Sequence, residues 1–138
     1  METVIIEKDI QIVCLTAKSF PEGIQDAHQQ LHAIIPFSKE RRYFGLSRPE
    51  NGIIVYKAAA EVLENDKEAS FNCESMVIEK GNYRCMTILE YKKDLQRISK
   101  AFEELLSYTD FDPNGYCIEW YHSDEDLKCM VRLKTKNQ

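Results

Sequence analysis

The sequence predicts an α+β fold in which two strand-helix-strand-strand units form one antiparallel sheet, with both helices on one face and a ligand cleft between the halves. Three observations carry that expectation. Cys14-Leu15-Thr16 returns as Cys85-Met86-Thr87, a displacement of 71 residues (85 − 14). Apolar residues at Ile24, Ala27, Leu31, Ile34 and Ile35 return at the same displacement as Leu95, Ile98, Phe102, Leu105 and Leu106. That spacing gathers five side chains on one face of a 3.6-residue helix, the face a helix lays on a sheet. Each stripe is then followed by two strand-like runs separated by turn chemistry.

In order along the chain, a first strand is expected at Ile10 to Thr16. Ser19-Phe20-Pro21-Glu22 reads as a turn, with Ser capping and Pro near the start of a helix from Glu22 to Ile35 that stops at Pro36. Tyr43 to Ser47 is a short strand ended by Arg48-Pro49-Glu50-Asn51-Gly52, whose Asn-Gly is hairpin chemistry, and Ile53 to Glu61 returns beside it. Polar, unpatterned residues Glu64 to Ser70 join the halves. Val77 to Leu89 is strand-like with an interruption at Lys80-Gly81-Asn82, and Asp94 caps a helix from Leu95 to Tyr108. After the turn Asp112-Pro113-Asn114-Gly115, Tyr116 to His122 and Leu127 to Leu133 form a hairpin across Ser123 to Asp126. The tail from Lys134 to Gln138 is expected to fray.

The 138 residues suit a single domain, with a first half at about 10–61, a linker at about 64–70 and a second half at about 77–133. No apolar run is long enough to cross a bilayer, and Met1-Glu2-Thr3 lacks the basic head of a signal peptide, so a cytoplasmic protein is expected. A net charge of −5 opposes a nucleic-acid surface and favours cationic partners. The one basic cluster, Lys39, Arg41 and Arg42 beside Glu40, reads as a solvated turn. Cys14, Cys73, Cys85, Cys117 and Cys129 are odd in number and widely spaced, which signals neither disulfides nor zinc, so reduced core thiols are expected.

Candidate chemistry concentrates near the C-terminus. Alternation from Tyr116 to His122 puts Cys117, Glu119 and Tyr121 on one face and Ile118, Trp120 and His122 on the other. Glu119 either lies on the wet face of a half-buried strand or is turned into a pocket where it meets a cation. Tyr43, Phe44, Tyr56, Tyr83, Tyr116, Trp120 and Tyr121 all fall on expected strands; ring faces attract positive charge, and strands are also enriched in aromatic residues for packing alone. His28 and His32 have a four-residue spacing but neither an adjoining Glu nor a third ligand, so no metal is expected. The five glycines are scattered singly and no G-x-S-x-G elbow occurs, so neither phosphate-loop nor nucleophile-elbow chemistry is written here, and no cofactor is expected.

Phe20-Pro-Glu-Gly-Ile24, Tyr43-Phe-Gly-Leu-Ser47, Ile78-Glu-Lys-Gly-Asn-Tyr83 and Cys117-Ile-Glu-Trp-Tyr121 resemble the GyrI-like small-molecule-binding family. This is the effector-binding domain found behind the DNA-binding parts of AraC- and MerR-type multidrug regulators, here in stand-alone form. The resemblance spans about Ile10 to Leu133. It implies a cleft between two halves, into which Glu119 and Tyr121 reach to meet a cationic, aromatic ligand. Trp120, Tyr43, Tyr56 and Tyr83 complete the expected ligand-binding set, with no catalytic residue assigned. The chain departs from the family where Ile78-Glu79-Lys80-Gly81 replaces a proline-containing approach. About nine residues stand before the first expected strand, so direct DNA reading by a helix-turn-helix is not expected.

Three functions follow as expectations. The first is capture of a hydrophobic, cationic small molecule, coupled to transcription regulation through a protein partner. The second is hydrolysis of strained-ring xenobiotics in the same cleft, with Glu119 as acid or base and Tyr121 or Tyr43 steadying the substrate. The third is a gyrase-inhibitor-like protein contact, for which Asp124-Glu125-Asp126 offers a short acidic run.

Overall fold

A computed structural model describes residues 1–135. Its strands are β1 (Glu2–Ile6), β2 (Ile10–Thr16), β3 (Tyr43–Glu50), β4 (Ile53–Glu61), β5 (Glu74–Ile78), β6 (Gly81–Ile88), β7 (Cys117–Trp120) and β8 (Leu127–Arg132). The helices are α1 (Ile24–Ile34) and α2 (Gln96–Leu105), with short 3-10 turns at Glu68–Phe71 and Tyr91–Lys93. Strand pairing is antiparallel in both halves, so the α+β expectation holds.

Two compact units divide the chain: Asp9–Ile78, and Met1–Lys8 together with the chain from Glu79 onward. In the first unit the strands run β5-β2-β4-β3. Val13, Ala58 and Ala60 face Ala27, Leu31 and Ile35 of the α1 segment to make its core. In the second the order is β1-β6-β8-β7, and Leu127, Cys129 and Val131 meet Ala101 and Leu105 of α2.

The 71-residue displacement survives at the level of register. Cys14 sits opposite Ala59 and Leu15 opposite Ala58; their counterparts Cys85 and Met86 sit opposite Met130 and Cys129. The helices follow a different displacement. Ala27 and Leu31 are buried in one unit, Ala101 and Leu105 in the other, 74 residues on (101 − 27). Leu95 and Leu106, expected on the buried stripe, are exposed, as is Ile34. Three residues turn a helix to within about 60° of a full revolution, so stripes displaced by 71 and by 74 overlap on the helical wheel.

Two expected elements need correction. The expected run from Val77 to Leu89 is not one strand: Glu79 and Lys80 separate β5, an edge strand of the first unit, from β6 of the second. The lead-in residues form β1, which pairs with β6. Elsewhere the turn chemistry is as expected. Asn51 and Gly52 both have positive φ, 54° and 81°, as the two-residue β3–β4 hairpin demands. Ile35, before Pro36, is pushed to extended backbone, ending α1. Ser19 does not cap α1 with its side chain. Its carbonyl accepts the Gly23 N–H instead, and a Cβ on Gly23 would lie 2.8 Å from that oxygen.

The basic cluster is not a solvated turn. Arg41 is buried and pairs through both terminal nitrogens with Asp66, at 2.6 and 3.1 Å, while donating to the Glu61 carbonyl. Arg42 grips the Glu61 carboxylate. The polar linker is thereby tied to the strand before it, because a buried guanidinium needs a carboxylate and Asp66 supplies one. All five cysteines are free thiols; burial pushes Cys14 up to about 12 and Cys85 and Cys117 up to about 11. Of the expected frayed tail, the Lys134 N–H donates to the Asp110 carbonyl, and residues 136–138 lie outside the described residues.

Candidate functional site

Glu119 owes its position to the short ladder between β7 and β8. Paired residues of an antiparallel ladder share a face, and Glu119 is opposite Cys129, a member of the α2-side core. Cys117 and Tyr121, two residues to either side, pack against the same core. The carboxylate therefore points toward the helix side of the sheet and is 8% exposed. That excludes the wet-face alternative.

Taking a carboxylate out of water costs several kcal/mol unless donors replace its hydration. Tyr121 supplies one: its hydroxyl donates to Glu119 Oε1 at 2.7 Å. The Tyr121 ring meets the Tyr91 ring edge to face, with centroids 5.9 Å apart and planes at 62°. Burial, then the charges of Glu119 and Asp124, push the Tyr91 hydroxyl above its ordinary value, so it stays a neutral donor at physiological pH. Burial followed by the Glu119 charge raises Cys117, and the same two causes lead for Cys129. A negative charge bordered by two phenol rings and two neutral thiols results, an environment that attracts a hydrophobic cation.

The other expected ligand residues are placed elsewhere. Trp120 is opposite Lys128, on the reverse face of β7, with its ring edge-on to His122 at 5.0 Å. Tyr83 is also on a reverse face, three residues from the α2-side Met86, and donates its hydroxyl to the Glu79 carbonyl at 2.6 Å. Tyr43 and Tyr56 belong to the first unit. Tyr56 is 1% exposed, with its hydroxyl 2.8 Å from His28 Nε2 and Phe20 stacked over its ring. Tyr43 packs against the α1-side core, stacks with Phe37 and accepts the Ser38 N–H. Burial, then the charge of His32, lowers His28 to about 4, which leaves it neutral at pH 7.

Ladder equivalence explains why only one unit carries the carboxylate. Gly45 is opposite Ala58, as Glu119 is opposite Cys129; Ser47 is opposite Tyr56 where the second unit has Tyr121 beyond Leu127. The residue that sequence reasoning missed is Tyr91. Its signal was the 71-residue displacement, which maps Phe20, the ring stacked on Tyr56, onto Tyr91. Among the described residues there is no group of three or more His, Cys, Asp and Glu suited to a metal, and no helix long and apolar enough to cross a membrane.

No protein-family profile matches the chain, and no curated protein matches it in sequence. Solved structures do share its fold. An integron cassette protein from the mobile metagenome of Vibrio cholerae aligns with a TM-score of 0.71 at 9% identity, over 96% of this chain and 95% of that one. A protein solved bound to tetraphenylphosphonium aligns at 0.69 and 13% identity, over 97% of this chain and 94% of that one. A hydrolase from Listeria innocua aligns at 0.63 and 11% identity, over 96% and 90%. At such identities the likeness defines the fold class alone.

Proposed function

We propose that this chain is a binding module for a hydrophobic cation, of the GyrI-like kind, with Glu119 as the counter-charge and Tyr121 and Tyr91 as the rings against which the ligand lies. The observation that carries the reading is the burial of the Glu119 carboxylate beside those two phenols. A purely structural position so deep on the helix side of a sheet is ordinarily apolar, as Cys129 and Val131 beside it are. The shared fold with a protein that binds tetraphenylphosphonium supports the choice of ligand class. Trp120 and Tyr83 are not used, because their strands turn them to the other face. The module would sit in the cytoplasm and act on transcription through a partner protein.

Titration of the chain with tetraphenylphosphonium tests the reading. Dissociation constants on the order of micromolar are expected, with at least a tenfold loss in Glu119→Gln, which keeps the shape and removes the charge. A second reading, hydrolysis, is favoured by the Tyr121–Glu119 hydrogen bond, which could pass a proton, and by the fold of the Listeria innocua hydrolase. Product formation from a strained-ring substrate, lost in Glu119→Gln, would mark that activity.

A further inference from the structure

A second, shorter repeat is written in the edge strands. Glu2-Thr3-Val4-Ile5-Ile6-Glu7-Lys8 returns as Glu74-Ser75-Met76-Val77-Ile78-Glu79-Lys80, displaced by 72 residues (74 − 2). Four of these seven positions are identical and the other three conserve character, which makes the two segments alternative versions of one strand. They are β1 and β5, and they dock in the same register. Glu2 lies opposite Cys85 and Glu74 opposite Cys14, the equivalent cysteines of the longer repeat; Ile6 meets Gly81 and Ile78 meets Ile10.

The docking chemistry is also repeated. Lys128 Nζ binds Glu2 Oε1 at 3.0 Å, and Lys57 Nζ binds the two Glu74 oxygens at 2.8 and 2.9 Å. Both lysines are largely buried, so each slot presents a partly desolvated ammonium to the first carboxylate of the incoming strand. Each edge strand docks away from its neighbour in sequence. β1 runs directly into β2 of the first unit yet pairs in the second; β5 runs directly into β6 of the second yet pairs in the first. The two repeats have traded edge strands within one chain.

We propose that the slot beside β6 also accepts the β1 segment of a second copy of this chain, so that two copies exchange edge strands and form a dimer. The slot is specific for a sequence that every copy carries. Little holds β1 in place besides its ladder and the Glu2 anchor: Ile6 is its only buried residue, and Ile5 is 67% exposed. Strands with so few buried contacts open at low free-energy cost. Glu7, Lys8 and Asp9, which join β1 to β2, are all exposed and can straighten without unpacking a core. Because an exchanged strand remakes the contacts it left, the balance depends on that hinge and on protein concentration.

The test uses full-length chains carrying Ile5→Cys or Asn82→Cys, two exposed positions directly opposite one another on β1 and β6. Both substitutions in one chain should close a disulfide within the monomer. Mixed single variants, oxidised slowly at near-millimolar concentration, should give a heterodimeric disulfide at least about fivefold above that of either variant alone, rising with concentration. Adding Lys128→Met to the Asn82→Cys chain should cut that yield several-fold. Three results would each overturn the proposal: heterodimer at the single-variant background, a yield indifferent to Lys128→Met, or a double variant that fails to close.

Discussion

The Tyr121 hydroxyl and Glu119 Oε1 lie 2.7 Å apart, donor and acceptor two residues from each other on one face of the chain. Side chains at that spacing point the same way, so the phenol is carried alongside the carboxylate by the strand itself. The hydrogen bond offsets part of the desolvation that burial imposes, and it fixes the direction in which the charge is presented.

Tyr121→Phe removes that donor and leaves the ring. A destabilisation of about 1–2 kcal/mol is expected in urea unfolding, since a hydrogen bond to a charged group is at stake. In a Glu119→Gln background the same substitution should cost less. A double-mutant cycle over the two positions measures the coupling, and additive effects would mean that the bond contributes nothing.

His28 sets a pH dependence with a definite sign. Its native value of about 4 lies below the ordinary 6.5, so the unfolded chain takes up the proton more readily. The stabilisation from keeping His28 neutral is complete above about 6.5 and is lost as pH falls from there toward about 4, with a slope of at most about 1.4 kcal/mol per pH unit. The expected check is thermal or urea unfolding across that window. His28→Phe, which copies Phe102, its counterpart at the helix displacement, should flatten the slope.

Asp66 acts lower on the pH scale. The Arg41 hydrogen bond, more than any other cause, holds its carboxyl below the ordinary carboxylate value. Its contribution is present above that ordinary value and disappears as pH drops through the native one. Asp66→Asn should remove this acid-limb loss. Arg41→Met at neutral pH should destabilise by about 3 kcal/mol, because the Asp66 carboxylate is left without its buried partner.

The thiols give a kinetic prediction. Cys14, Cys85 and Cys117 are raised to about 12, 11 and 11, and Cys129 higher still, chiefly by burial. Maleimide labelling of native protein at pH 7 should therefore modify the half-buried Cys73 first, with the others reacting only on unfolding. Mass mapping of the first site labelled checks this.

Much of the fold was legible because its signals are local. Asn51-Gly52 fixes a hairpin by its own backbone preferences, Pro36 ends a helix, and alternation from Cys117 to Tyr121 assigned Glu119 and Tyr121 to one face. What escaped was non-local. β1 and β5 are five-residue edge strands whose alternation is weak, and their near-identity becomes visible only when Glu2 is aligned with Glu74, one residue off the displacement of the neighbouring strands. The α2 face was misread by a turn for a related reason: a helical stripe matched at one displacement also matches three residues away. Tyr91 lay outside any expected strand or helix. Arg41 was misjudged because its partner, Asp66, is remote in sequence and sits in a segment with no pattern of its own.

The central claim is that the Glu119 charge binds a cation, and calorimetric titration of the wild type and Glu119→Gln with tetraphenylphosphonium tests it most directly. Micromolar-order binding by the wild type, weakened tenfold or more in the variant while its unfolding midpoint stays close to that of the wild type, is the predicted result. Equal affinity in both proteins, or no binding by the wild type, would contradict it.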